Sequence, residues 1–355
     1  MDPALWELLR TEAGTDGDQM LEAIIRLSRP GIEIPDVRVI SSFGTVATCR
    51  IRARDVVPVR ALPDVVSLKA ARGLSPGFEP AANPAAPDVF PRANPRPTDV
   101  RRSRELSPTG RGVVVASVDW GVDVDSAAFR WPAGPPARGG RPPGGTRFLS
   151  LWDQRDQAVG PRPEPYGYGT VHDREQIDGA LQDRSPYERL GYHPAIADRG
   201  GHGAHGTHVL DIAAGNGQAG SPVGIAPGAD LVFVHLADRR TGGLANLGDS
   251  VRLLEAIDFI SRAAGSRPCA INISAGRTCG PKDESALDAA EPVIKDPFAG
   301  PTFANAEAEA GHFIVVKNLV GLARGELDFA DGCFCEVHAA SPLLGANWEA
   351  FCVMA

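Results

Sequence analysis

The sequence contains little cysteine, with six residues spread over 355 positions. This density excludes a fold that depends on a framework of disulfide bonds. Two of the six, Cys333 and Cys335, form a C-x-C pair, which differs from the C-x-x-C spacing of zinc and redox sites. The pattern therefore favours free thiols, which are typical of a reduced compartment.

The sequence also lacks a long apolar run and an excess of basic residues. No stretch reaches the roughly 20 apolar residues that cross a membrane, and residues 1–7 have neither the basic nor the apolar part of a signal peptide. The net charge is −8 and the isoelectric point is near 5.5, whereas a nucleic-acid-binding protein presents a basic face. We therefore expect no membrane partner and no nucleic-acid partner. A cytoplasmic location is the default, with export by another route left open.

What the chain does contain is enough apolar material for a core, since 43% of its residues are hydrophobic. Its length predicts two or three domains of roughly 100–200 residues each. Residues 1–72 are predicted to form a small α+β domain, with a hairpin made by 37–40 and 46–51. Closely spaced prolines predict that residues 73–106 are a linker with little regular structure.

Residues 107–280 are predicted to form the main domain, because runs of strand length alternate there with segments of helical periodicity. These segments are 113–118, 206–215, 230–236, 247–260 and 269–273. The alternation predicts an α/β fold in which a parallel sheet has helices on both faces. Residues 132–200, rich in Pro, Gly, Arg and Asp, are predicted to be a long surface insertion. Beyond a strand near 314–316, residues 281–355 show no continuation of the fold.

Asp119 directly follows the first strand of the main domain and precedes Trp120 and Gly121. Active sites of parallel α/β proteins collect at the carboxyl ends of strands, where a carboxylate can be held by backbone N–H groups and directed at a partner. A turn-forming aspartate before a glycine has the same pattern. Position alone therefore leaves a structural role and a chemical role open.

A cluster of glycine and histidine residues at 200–209 has three interpretations. Its G-x-G-x-x-G spacing matches a dinucleotide-binding loop, although no strand precedes it. His202, His205 and His208 are spaced three residues apart and could bind a metal, although no acidic ligand accompanies them. Alternatively, His205 is a catalytic base at the start of a helix, with glycines that allow close approach of its partners.

The last strand of the main domain ends in three small residues, Ser274, Ala275 and Gly276. Small side chains leave the backbone open, so an extended peptide could pair with this segment. An ordinary strand end has the same composition, so this segment alone does not identify a binding site.

Together, four segments resemble the subtilases, the subtilisin-like serine proteases. Residues 115–123 resemble the catalytic-aspartate segment of that family, and 205–209 its catalytic-histidine segment. Residues 223–229 resemble a further family stretch, and 271–276 the substrate-binding strand. Four segments in the family's order are more specific than any one of them. Trp120 departs from the serine or threonine that the family has after its aspartate.

The resemblance covers roughly residues 110–280 and implies an endopeptidase that acts on peptides or proteins. His205 would be the base, and Asp119 would orient it and stabilise its charged form. Residues 274–276 would pair with the substrate backbone, and His208 would be structural.

The family's catalytic serine is not identifiable in the sequence. No Gly-Thr-Ser occurs, and Ser341, which precedes a proline, has no glycine before it. Asn318 follows a strand-like segment and is a candidate for the oxyanion side chain, whereas Asn216 lies within the histidine helix and is a decoy. The chain ends near the point where the family's serine helix should begin. From about Glu284 onward the sequence resembles a different continuation, so we expect residues 281–355 to be diverged or aberrant.

Three functions remain open at this point. The first is a serine endopeptidase, which would be inactive as written because its nucleophile is unknown. The second is a pseudoprotease that binds peptides without cutting them, and the third is a metalloprotein that uses the histidines of 200–209. The resemblance also implies a propeptide-like role, in folding and inhibition, for residues 1–72. It implies no cofactor, and it leaves a structural calcium ion open.

Overall fold

The computed structural model describes residues 2–11, 17–76, 108–133, 143–155, 160, 162–194, 205–237, 249–273, 275–276 and 313–317. The helices in these ranges are α1 (Pro3–Thr11), α2 (Val56–Arg60), α3 (Arg174–Ala180), α4 (Pro186–Leu190), α5 (His205–Ala214) and α6 (Ser250–Ala264). The strands are β1 (Met20–Leu27), β2 (Val37–Phe43), β3 (Val46–Arg52), β4 (Val65–Ala70), β5 (Ser75–Pro76), β6 (Val114–Asp119), β7 (Phe148–Asp153), β8 (Thr170–Asp173), β9 (Asp230–His235), β10 (Cys269–Ile273), β11 (Ala275–Gly276) and β12 (Phe313–Lys317).

The N-terminal unit is an antiparallel sheet in the order β2-β3-β1-β4. β2 and β3 form the predicted hairpin, in which Phe43 pairs with Val46 across the turn. Alternate side chains along the strands point to opposite faces, so each face needs its own covering layer. One face packs against α1 and α2 over a buried apolar cluster. Members of this cluster include Leu5, Leu21, Ala23, Ile25, Cys49, Ile51, Val56, Val59 and Leu68.

The second face of this sheet packs against α6. Ile24 and Phe43 belong to the same buried cluster as Ile257 of α6. The guanidinium of Arg50 donates to both carboxylate oxygens of Glu255, at 2.8 and 3.0 Å. The side chain of Glu255 is fully buried, and that of Arg50 is 12% exposed. The N-terminal unit is therefore joined to α6 by an apolar layer and a buried ion pair.

The main sheet has the order β12-β10-β6-β9-β7-β8. Its neighbours pair in parallel except β8, which is antiparallel to β7. Leu210 of α5 packs with Phe233 on one face, and Leu254 of α6 packs with Val232 on the other. The predicted α/β architecture with helices on both faces is thus confirmed, although the sheet is mixed because of β8.

The longest helix of the described ranges, α6, has 15 residues. It begins after Asp249, whose carboxylate accepts hydrogen bonds from the backbone N–H groups of Val251 and Arg252 at 2.8 and 2.9 Å. Such a cap satisfies donors that have no partner within the helix. No helix in the described ranges is both long enough and apolar enough to cross a lipid bilayer.

β7 lies within the region that the sequence predicts as a surface insertion. It pairs with β9 on one side and β8 on the other, and Phe148, Leu151 and Trp152 are fully buried. The prediction of a surface segment is therefore wrong for this strand. The strand is short, and the Pro- and Gly-rich composition of the residues around it predicts loops.

β12 confirms the strand predicted near 314–316 and extends it by one residue at each end. It pairs in parallel with β10, with Phe313 opposite Cys269. This pairing places part of the segment 281–355 in the main sheet, contrary to the expectation that the fold does not continue there. The other residues of that segment lie outside the described ranges.

Candidate active site

Asp119 is the last residue of β6, at the carboxyl edge of the main sheet. Its side chain is fully buried. One carboxylate oxygen, Oδ1, accepts a hydrogen bond from the backbone N–H of Trp120 at 2.7 Å. This bond holds the carboxylate at the end of the strand, where the sheet meets the start of α5.

His205 is the first residue of α5 and lies 86 positions further along the chain. Its Nδ1 is 2.7 Å from Asp119 Oδ1. An ionised carboxylate only accepts, so Nδ1 carries the proton and Nε2 is the nitrogen left for other partners. The side chain of His205 is 29% exposed. The structure thus brings the two sequence-predicted residues together as a buried acid and a partly exposed base.

Two glycines allow α5 to sit against the turn that follows Asp119. Gly121 has a φ of 70°, a left-handed conformation that favours glycine. A Cβ on Gly206 would lie 2.6 Å from the carbonyl oxygen of Gly121 and 2.7 Å from the ring of Phe233. The N–H groups of Gly206 and Thr207 donate to the carbonyls of Trp120 and Gly121, both at 3.2 Å. The turn therefore supplies acceptors for the unpaired donors of the helix start.

Trp120 lies on the imidazole of His205. The two rings stack with centroids 3.9 Å apart and an interplanar angle of 12°. The second carboxylate oxygen of Asp119, Oδ2, is buried and has no hydrogen-bond partner among the described residues. The aspartate–histidine pair is thus covered by an aromatic ring, and one oxygen of its acid is left unused.

A buried tyrosine and histidine support the same turn. The backbone N–H of Val122 donates to the hydroxyl of Tyr192 at 3.0 Å, and that hydroxyl is 3.3 Å from Nδ1 of His235. Burial, assisted by the charge of Arg155 and opposed by Asp153, lowers the pKa of His235 to about 3. The neutral imidazole of His235 can therefore accept the hydroxyl proton.

Sequence reasoning missed both of these supporting residues. His235 ends an apolar strand, and its Cα is paired with that of Asp119 only because β6 and β9 are neighbours in the sheet. Tyr192 lies in the region predicted to be a surface insertion. The position of His235 at a strand end was the one signal in the sequence that could have identified it.

The segment predicted to pair with a peptide is already paired with another part of the chain. β11 pairs antiparallel with β5, with Ala275 opposite Pro76 and Gly276 opposite Ser75. Just before β5, the side chain of Leu74 is 1% exposed and belongs to the apolar cluster that includes α6. The end of the N-terminal unit therefore lies along the predicted substrate strand.

The remaining candidates are placed as follows. His208 lies on α5 with an exposed side chain. Asn216 follows α5, and its amide donates to the carbonyls of Ala127 and Arg130 at 3.0 and 2.6 Å. In the described ranges no group of three or more His, Cys, Asp or Glu side chains could hold a metal ion. Four candidates lie outside those ranges: His202, Ser274, Asn318 and Ser341.

The fold and the site together define an α/β protein with an aspartate–histidine couple, of the kind that serine hydrolases use, at the carboxyl edge of its sheet. Residues 110–316, more than half of the chain, match the model of the subtilase family. The chain therefore belongs to the subtilase family. The match continues past residue 280, where the resemblance in the sequence was expected to end.

Solved structures similar to this chain include several proteases. The CspB protease of Clostridium perfringens is 20% identical, with a TM-score of 0.41 over 60% of this chain and 36% of that chain. The epidermin leader peptide processing serine protease of Staphylococcus aureus is 13% identical, with a TM-score of 0.40 over 84% and 60%. Fervidolysin of Fervidobacterium pennivorans, a keratinolytic enzyme related to subtilisin, is 15% identical, with a TM-score of 0.38 over 78% and 39%. The chain thus spans less than two thirds of each of these proteins. No curated protein matches it.

Proposed function

We propose that this chain carries the acid–base and substrate-binding parts of a subtilisin-type serine endopeptidase. His205 is the base, and Asp119 is the residue that orients it. The observation that carries the proposal is the 2.7 Å contact between His205 Nδ1 and Asp119 Oδ1. Membership of the subtilase family supports the reaction class, which is hydrolysis of peptide bonds in peptides or proteins.

The chemistry follows from the free nitrogen of the imidazole. A serine hydroxyl attacks the carbonyl carbon of the scissile bond and transfers its proton to His205 Nε2. His205 then donates that proton to the leaving amine nitrogen, and water releases the acyl group from the serine by the same route. Asp119 stabilises the imidazolium that forms between these steps. No cofactor takes part in this mechanism.

The serine of this mechanism is unassigned. The sequence contains no Gly-Thr-Ser, and within the described ranges no serine hydroxyl is hydrogen-bonded to His205. A hydroxyl nucleophile without a base at hydrogen-bond distance is weak. We therefore expect the chain by itself to be inactive on casein and to resist a serine-directed fluorophosphonate.

The aspartate–histidine couple is tested directly by NMR on the full chain with 15N-labelled histidine. We expect a downfield proton on His205 Nδ1, hydrogen-bonded to the carboxylate, and its loss in Asp119→Ala. His208→Ala, which changes an exposed histidine on the same helix, is the matched control and should keep the signal. Absence of this proton in the parent protein would contradict the proposal.

Fluorophosphonate labelling tests the expected inactivity separately. If labelling disappears in His205→Ala, mass spectrometry of the labelled parent protein would identify the missing serine. The chain would then have all three catalytic residues, and the expected inactivity would be wrong. Labelling that is unchanged in His205→Ala would mean that the reactive serine belongs to another site.

The N-terminal unit is proposed to block substrate binding, because β5 at its end pairs with β11, the predicted substrate-binding strand. Support comes from the pairing of β5 with β11, from the buried side chain of Leu74, and from the Arg50–Glu255 ion pair that holds the unit on α6. An extended substrate would use the same backbone groups that β5 uses. Residues 1–76 would therefore compete with substrate.

This competition is measurable with a fluorescent peptide that copies residues 70–78. We expect weak binding to the parent chain and stronger binding to Leu74→Asp, because a charge at a buried apolar position expels the segment. The same peptide N-methylated at Ser75 is the control, since it lacks a backbone donor that strand pairing can use, whereas Pro76 has no N–H in either peptide. Equal binding of the two peptides would exclude pairing with β11.

A peptide-binding pseudoprotease is the second candidate function. It is favoured by the combination of an occupied substrate strand and the absence of Gly-Thr-Ser. Peptide binding by Leu74→Asp that is unchanged by a further His205→Ala substitution, with no turnover in either protein, would favour this candidate over the endopeptidase.

A further inference from the structure

We propose that Trp120 is a positioning residue of the site, whose indole ring fixes the imidazole of His205 in the orientation that bonds to Asp119. This inference rests on the proposed function, because it concerns the same base. The observation behind it is the nearly parallel stack of the two rings, with centroids 3.9 Å apart.

The stack limits how the imidazole can turn. Rotation of the ring about its bond to Cβ would carry it into the indole face, so the orientation in which Nδ1 meets Asp119 Oδ1 is retained. Stacked aromatic rings also attract each other beyond their loss of exposed area. Trp120 thus opposes the departure of His205 from its acid.

Trp120 also occupies the position at which the family has a serine or threonine. A hydroxyl there would offer a donor beside the aspartate, whereas an indole on His205 does not. The buried Oδ2 of Asp119, without a partner among the described residues, is consistent with that difference. In this chain the couple is therefore oriented from the side of the base, by stacking, and within the described ranges the acid accepts from one backbone N–H, that of Trp120.

Trp120 itself is placed by the backbone on which α5 begins. Its carbonyl accepts from the N–H of Gly206, and the next carbonyl, of Gly121, accepts from Thr207. The turn that carries the indole and the helix start that carries the imidazole are therefore hydrogen-bonded to each other directly beside the two rings. This arrangement pre-organises the stack and leaves His205 with a small number of accessible rotamers.

The charged side chains near His205 do not hold its imidazole in place of Trp120. Asp123 is bonded through its backbone N–H to the hydroxyl of Thr207, and its carboxylate bonds to Tyr187. Asp211 lies further along α5. Among the described residues, the imidazole of His205 is hydrogen-bonded only to Asp119 and stacks only on Trp120.

NMR of the full chain with labelled histidine tests the inference, with two readouts on His205. The first is an upfield ring-current shift of its carbon-bound protons, which the stacked indole produces in the parent protein. The second is the exchange rate of its Nδ1 proton with water. We expect exchange to be about three- to tenfold faster in Trp120→Leu, as loss of an aromatic stacking contact implies, and close to the parent rate in Trp120→Phe.

Trp131→Leu is the matched control, because Trp131 is also half-buried but stacks on no histidine in the described ranges. It should leave both readouts of His205 unchanged, even where it lowers stability. An unshifted His205 in the parent, or equal exchange in Trp120→Leu and the parent, would overturn the role of Trp120. Absence of the Nδ1 proton itself would instead overturn the proposed function. The ring-current shift of His205 is measured in the parent protein, so it tests the stack with Trp120 even if Trp120→Leu does not fold.

Discussion

Two acid–base contacts join distant parts of this chain, and they differ in what they leave unpaired. Arg50 and Glu255, 205 positions apart, share two hydrogen bonds that use both carboxylate oxygens. His205 and Asp119, 86 positions apart, share one, and among the described residues the second nitrogen of the base and the second oxygen of the acid have no hydrogen-bond partner. Both acids are fully buried, while the bases are 12% and 29% exposed.

The difference indicates that the Arg50–Glu255 pair stabilises the fold, whereas the His205–Asp119 pair leaves a nitrogen that can accept a proton. We call the first the closed pair and the second the open pair. A buried ion pair is stable only when its polar atoms are all satisfied, as in the contact between β3 and α6. A catalytic base must keep one nitrogen available, so its pair cannot be closed in this way. The predictions that follow test this contrast, from the largest expected effect to the smallest.

Removing Arg50 from the closed pair should have the largest effect on the free energy of unfolding. Arg50→Met leaves Glu255 buried without its counter-charge and should lower the free energy of unfolding by about 3–5 kcal/mol at pH 7. The double variant Arg50→Met with Glu255→Leu should recover most of that loss, because an apolar pair replaces an ionic one. Urea denaturation of the three proteins measures this, and a double variant no better than the single one would contradict it.

The same variant should show a defined pH dependence. Burial raises the pKa of Glu255, and the hydrogen bonds and charge of Arg50 oppose that rise. Without Arg50, the folded protein binds the Glu255 proton more tightly than the unfolded chain does. The stability difference between parent and variant should therefore shrink as the pH falls from 7 to 5. A difference that grows over this range would contradict the assignment.

His235 should make the parent protein sensitive to mild acid. Its pKa is about 3 in the folded protein against an ordinary value of 6.5, so below pH 6.5 the unfolded chain takes up a proton that the folded protein refuses. At pH 4.5 this difference corresponds to about 2–3 kcal/mol of lost stability. His235→Asn keeps an acceptor for Tyr192 but does not titrate.

Denaturation at pH 7 and pH 4.5 isolates this contribution. Other groups titrate in both proteins, so the comparison of the two pH dependences is the measurement. The parent should lose more stability than His235→Asn over the interval, and parallel losses in the two proteins would show that His235 is not the buried neutral base.

Gly206→Ala should disturb the open pair without changing its chemical groups. The added Cβ would overlap the carbonyl of Gly121 and the ring of Phe233, and such overpacking destabilises by about 1–3 kcal/mol. Gly179→Ala in α3 is the matched control, because a Cβ there meets nothing within 4 Å; it should gain about 0.5–1 kcal/mol. Thermal unfolding of both variants measures the contrast. Equal effects at the two sites would mean that α5 does not seat against the turn after Asp119.

Asp119→Asn should have the smallest effect on stability, at under about 1 kcal/mol. The amide oxygen can still accept from Trp120, and a neutral side chain is easier to bury than a carboxylate that has one unpartnered oxygen. The His205 Nδ1 proton signal should nevertheless move upfield, because a neutral amide oxygen accepts a hydrogen bond more weakly than a carboxylate does. A loss of stability comparable to that of Arg50→Met would show that the open pair also holds the fold.

Much of the fold follows from local patterns in the sequence. The apolar runs predicted β6, β9 and β10, and the helical periodicity predicted α6, because each pattern is set by which faces of one segment are buried. β7 was missed because it is a run of six residues within a region whose Pro-, Gly- and Arg-rich composition predicts loops. Its neighbours α3 and α4 were missed with it, since each is shorter than two turns of clear pattern.

The candidate site divides in the same way. Asp119 and His205 were identified because the segments 115–123 and 205–209 resemble those of the subtilases, whereas their positions at a strand end and a helix start left their roles open. Tyr192 and His235 carry no motif and depend on strand order. Ser274 and Asn318 lie outside the described ranges, so their predicted roles stay predictions.

The sequence by itself determined the α/β class and indicated Asp119 and His205 as candidates for the acid and the base, since each prediction rests on residues close together along the chain. Only the tertiary structure decided that Trp120 stacks on His205, that β5 lies along β11, and that Arg50 meets Glu255. Contacts between distant segments depend on how whole layers pack, and no local pattern of hydrophobicity records which of several compatible partners a side chain will face.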